Sequence, residues 1–123
     1  DRPAIRSVAI RPHVYGADAT PGEMSALAPV VSRCAEAGDA VAQEIITHAG
    51  ASIAESVAAV ARRLNLTGPI PFAMAGGVIL KSAGVREAML QSAVQRNLLL
   101  DPLALVERPV LGAVRMAVQR AAI

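Results

Sequence analysis

The chain has 123 residues, 54% of them hydrophobic, with 12 Lys or Arg against 10 Asp or Glu and a net charge of +2. That length suits one compact domain and is short for a complete two-lobed enzyme. No apolar run approaches the roughly 18 residues of a membrane-spanning helix. With no Trp, one Tyr, one Phe and no basic stripe, neither base stacking nor tracking of a phosphate backbone is available, which excludes a nucleic-acid partner.

The chain begins at Asp1 with no Met and without the succession of a signal peptide, so it is expected to be a piece of a longer cytoplasmic protein. Residues 1–19 are the least readable: Pro3, Pro12 and Gly16 punctuate an alternation of Ile5, Ser7, Val8 and Ile10 that fits a short strand or a traverse over another domain. Thr20-Pro21-Gly22-Glu23 then gives a helix start, with Thr20 as cap, Pro21 in the first turn and Glu23 completing a capping box. The helix is expected to run to residue 37, with Leu27, Val30, Val31, Cys34 and Ala35 on its apolar face and Pro29 early enough to be tolerated. On that reading Cys34 is a small core residue in a reducing compartment.

Gly38 can take the left-handed conformation that ends one helix, and Asp39 can cap the next. From 40 to 64 the positions Val41, Ile45, Ala49, Ile53, Val57, Val60 and Leu64 keep to one stripe, which predicts a helix of roughly 25 residues and roughly 38 Å. Ala42, Ala51, Ala54, Ala58, Ala59 and Ala61 are small neighbours, as suits a helix lying between a sheet and another helix.

Asn65, Thr67, Gly68 and Pro69 end that helix, and Ile70 to Ala75 form a buried strand with Pro71 at its entry. Gly76-Gly77 closes the strand. Helical spacing resumes over 82–96 through Val85, Met89, Leu90 and Val94. Short strands are expected at 98–100 and 103–106 on either side of an Asp101-Pro102 turn. Pro109 opens a last helix with Val110, Leu111, Val114, Ala117 and Val118 on its inner face. Helices alternating with short strands predict half of an α/β layered domain, with no internal repeat.

Residues with catalytic chemistry are few. His13 and His48 have no partner at metal-ligand spacing, and His48 with Glu44 one turn away is a surface pair. Asp39, Glu44 and Glu55 do not form a close carboxylate pair. No Walker loop and no nucleophile elbow occurs, so no metal ligand or catalytic residue is assigned. Gly76-Gly77 differs by its place: at the carboxyl end of a buried strand, two residues without side chains let the main chain approach a ligand.

Five segments taken in order, Leu27-Ala28-Pro29-Val30, then 35–42, then Ile45-Ile46 and Ala49, then Ala73-Met74-Ala75-Gly76-Gly77-Val78, and last Arg108-Pro109-Val110-Leu111-Gly112-Ala113, resemble the C-terminal half of a BadF/BcrA-type ATPase. That family includes bacterial N-acetylglucosamine and glucosamine kinases and belongs with the actin-like and sugar kinase proteins. The resemblance covers roughly 23–122 and implies a single partial domain: the C-terminal half of an actin-like, ribonuclease H-like ATPase domain, helix-rich with a small sheet. It implies that Ala75, Gly76, Gly77 and Val78 bind the adenosine of ATP. Gly112 is implied to allow close helix packing. Mg2+, the phosphates and an amino sugar would be held mainly by an N-terminal lobe outside this sequence, and phosphoryl transfer needs those groups. The family's activator branch carries an iron–sulfur cluster on shared cysteines, and a single core-facing Cys34 speaks against it. Competing expectations are an ATPase that activates a partner enzyme, and a helical packing or homodimerisation module.

Overall fold

The computed structural model describes Gly16 and residues 20–121, so the expected strand near Ile5 to Ile10, and His13, lie outside the described residues. Among the described residues six helices and two strands follow in order. They are α1 (Pro21–Ala26), α2 (Ala28–Glu36), α3 (Ala40–Arg63), β1 (Ile70–Ala75), α4 (Gly77–Lys81), α5 (Ala83–Gln95), β2 (Leu100–Val106) and α6 (Pro109–Ala121).

The first expected helix is two helices. Pro29 sits at the start of α2 and Leu27 serves as its N-cap. A proline in a continuous helix would remove the N–H that Ser25 O awaits and press its ring on that carbonyl, so the chain restarts. The Glu23 side chain of the expected capping box lies outside the described residues. The next junction behaves as the residues require. Gly38 takes φ +90°, a region costly for a side chain, and Asp39 Oδ1 accepts from Ala42 N–H at 2.8 Å, satisfying a free donor of α3.

The 24-residue α3 matches the expected length, but its buried face is the small one. Ala42, Gly50, Ala54, Ala58 and Ala61 are buried; of the expected stripe Ala49, Ile53 and Val57 pack half-buried against the core, while Val41, Ile45, Val60 and Leu64 are exposed. Its closest neighbours are the helices α2 and α5, and it meets the sheet through the shared core at Ala54. Small residues win the buried face because they let α5 come nearer than Val or Ile would, and closer backbones gain more dispersion contact.

β1 and β2 pair in parallel, with Ile70 opposite Leu100, Phe72 opposite Leu103 and Ala75 opposite Val106. The expected turn at Asp101-Pro102 is instead part of one continuous strand, with a cis peptide bond. The register slips between Ile70 and Phe72. Both Pro71 and Pro102 fall in that slip, where neither has an N–H to give. One face of the sheet joins the helices in a single core of Ala54, Met74, Ile79, Val85, Met89, Ala93 and Leu100, with Phe72 and Ile70 packed against it.

Three further expectations are corrected. α6 forms from Pro109, yet none of its residues is buried, so its apolar row has no cover within the described residues. A β-carbon on Gly112 would meet nothing within 4 Å, so that glycine serves no close packing here. Cys34 is exposed, because the row α2 turns inward is Ala28, Val31, Ser32 and Ala35, each half-buried, and Cys34 falls outside it.

Candidate functional site

β1 delivers the chain to Gly76, which takes φ +106° and ψ 151°, a backbone region closed to side chains for steric reasons. The strand therefore turns sharply into α4, with Gly77 as the first helical residue. α4 has only five residues, too few to be stable on hydrogen bonds of its own. Its own turns are closed by Leu80 N–H donating to Gly76 O at 3.0 Å and Ser82 N–H to Val78 O at 2.8 Å, and a brace from α5 adds to them. The half-buried Arg86 guanidinium donates from Nη1 to Ile79 O at 2.8 Å and Leu80 O at 3.0 Å, covering carbonyls a short helix leaves open.

In front of α4 lies a cleft of about 500 Å3, within the range of small-molecule sites. Its near wall is Gly77, Val78, Lys81 and Ser82, and its far wall is the α2 row Pro29, Ser32, Arg33 and Glu36. Of the four residues expected to form the site, Gly77 and Val78 line this cleft. Gly76 makes the turn behind it, and Ala75 ends the strand; neither is in its lining. A β-carbon at Gly77 would meet no heavy atom within 4 Å, so the space beside its backbone is free for a ligand.

The far wall escaped the sequence reading. Positions 29, 32, 33 and 36 follow the three- and four-residue steps of one helix face, a signal masked by attention to the apolar row. The cleft combines apolar surface at Val78 and Pro29 with the cations Arg33 and Lys81, the carboxylate Glu36 and the hydroxyls of Ser25, Ser32 and Ser82. That set can hold a planar body on its apolar parts and address polar edges. It contains no nucleophile with a base beside it. His48 and Glu44 are exposed and line no part of it. Among the described residues no group of three His, Cys, Asp or Glu could hold a metal ion, and no helix is long and apolar enough to cross a membrane.

No curated protein and no solved structure matches the chain. A family model does, over residues 7–117, nearly the whole sequence, and by that match the chain belongs to the BadF/BadG/BcrA/BcrD ATPase family.

Proposed function

We propose that the cleft between α2 and α4 receives the adenosine part of ATP, and that this chain is the C-terminal lobe of an ATP-dependent kinase for N-acetylglucosamine or glucosamine. On this reading the lobe is the ribonuclease H-like half of an actin-like domain. The observation that carries it is Gly77: its bare backbone opens onto a 500 Å3 cleft shared with Val78, at the carboxyl end of a parallel strand where α/β sheets gather ligands. Membership of an ATPase family makes a nucleotide the fitting occupant. Arg33 stands in the facing wall, and a guanidinium lies well on a planar ring.

The chain's own residues bind and orient; they do not react. Mg2+ takes several oxygen ligands, mainly carboxylates, phosphates and water, and Glu36 is the one carboxylate of the cleft lining. The ion, the phosphates and the sugar therefore belong to the other lobe, which also supplies the base for the attacking hydroxyl.

The test is titration of the full-length protein with ATP, followed by phosphorylation of glucosamine and N-acetylglucosamine. Gly77→Val should weaken ATP binding by at least about tenfold, since a branched side chain fills the open space; unchanged affinity overturns the site. The competing reading, an ATPase that activates a partner enzyme, gains an exposed thiol at Cys34, but with one cysteine in the sequence two copies supply two of the four thiolates an iron–sulfur cluster takes. Bound iron together with no sugar phosphorylation would decide for that reading.

A further inference from the structure

We propose that the hydrogen bond between Ser32 and Ser82 is the tie that sets the distance of α2 from α4, making both serines positioning residues for the nucleotide cleft. This rests on the reading of that cleft as the adenosine site.

Ser32 Oγ donates to Ser82 Oγ at 3.1 Å, joining positions 50 apart in the sequence. The bond crosses from one wall of the cleft to the other. α2 is half-buried along Ala28, Val31, Ser32 and Ala35 and has α3 as its close neighbour, so its distance from α4 is not set by a packed face between those two helices. Its end is held to α3, where Gln43 Nε2 donates to Ala35 O at 3.1 Å, and the serine pair holds it on the cleft side. A polar bond governs geometry most where packing governs it least.

Ser82 is suited to the role because it is a fixed point. It is 6% exposed; its N–H closes α4 on Val78 O, and its Oγ caps α5 by accepting from Val85 N–H at 3.5 Å. Anything bonded to that oxygen is referenced at once to α4, which carries Gly77 and Val78, and to α5 in the core. The pair also marks a boundary. Ser32, Glu36 and Ser82 line both the cleft and a second hollow of about 360 Å3, whose other walls include Gln43, Ile46, Thr47 and Gly84. The linked hydroxyls lie where the cleft and that hollow adjoin.

The experiment is a double-mutant cycle in the full-length protein, read by calorimetric titration with ATP and by amide hydrogen exchange over Gly77–Lys81. Ser32→Ala removes the donor and leaves the cap of α5 intact. Ser82→Gly removes the acceptor while keeping a residue that caps helices nearly as well. Each single change should weaken ATP binding about three- to tenfold, the worth of one hydrogen bond. The double variant should be no worse than the poorer single, because the same bond is lost. Ser32→Thr, which keeps the hydroxyl, should restore affinity, and exchange over Gly77–Lys81 should quicken in Ser32→Ala even without nucleotide. Losses that add in the double variant overturn the tie, since the serines would then meet the nucleotide separately. So does wild-type affinity in Ser32→Ala when Gly77→Val abolishes binding. If Gly77→Val changes nothing, the nucleotide reading fails and exchange alone decides: faster exchange in Ser32→Ala keeps the tie, unchanged exchange overturns it.

Discussion

Gly50 of α3 is pressed so closely against Ala88 of α5 that a β-carbon on the glycine would stand 2.5 Å from the alanine's and 2.6 Å from Met89 N. The obstacle is partly backbone, so no side-chain rotation relieves it. Gly50→Ala should therefore destabilise the protein despite the gain of about 1 kcal/mol in helix propensity. Overpacking of this kind costs about 1–3 kcal/mol, and the net loss should appear as a lower urea midpoint with an unchanged slope. A midpoint that rises instead would show the two helices able to part freely.

The two glycines of the strand–helix turn should answer substitution differently. Gly76 has φ +106°, so Gly76→Ala should cost about 1–3 kcal/mol of stability through backbone strain. Gly77 has open space and no such dihedral, and Gly77→Ala should stay within about 0.5 kcal/mol of the parent. Thermal unfolding of the pair separates the residue needed for the turn from the one left bare for a ligand.

Asp39 caps α3 through Ala42 N–H. Asp39→Ala should lower stability by about 1 kcal/mol, whereas Asp39→Asn, which keeps an acceptor oxygen, should be nearly neutral. Chemical denaturation of the two variants side by side checks both halves of the claim.

Met89 is fully buried while Val94, on the same helix, is 70% exposed. Met89→Ala should cost about 2–5 kcal/mol through lost contacts and the cavity left behind. Val94→Ala should change stability by less than about 0.5 kcal/mol. Equal effects would mean that α5 presents a different face to the core.

What the sequence made legible was governed by local chemistry. The bounds of α3, the Gly38 and Asp39 junction, β1 and the sharp turn at Gly76 each follow from residues within a few positions of one another. Which face of a helix is buried does not, because it depends on what lies opposite. Val41, Val60 and Leu64 look like core positions by spacing, yet α5 favoured the Ala and Gly row. The same holds for Val110 and Val114 of α6 and for Cys34. At the site, Gly77 and Val78 announced themselves as a strand-end turn, but Arg33, Ser32 and Glu36 became partners of that turn only when α2 was folded across it. The interruption at Pro29 is hard to see locally because a proline's cost falls on the residue four places before it.

The register of the two strands has a mechanical side. Pairing runs unbroken from Phe72 opposite Leu103 to Ala75 opposite Val106, and slips only at the end occupied by Pro71 and Pro102. The end that carries the glycine turn is the evenly laddered one, so a change of register at Pro71 and Pro102 has four paired positions, 72 to 75, to cross before it reaches that turn.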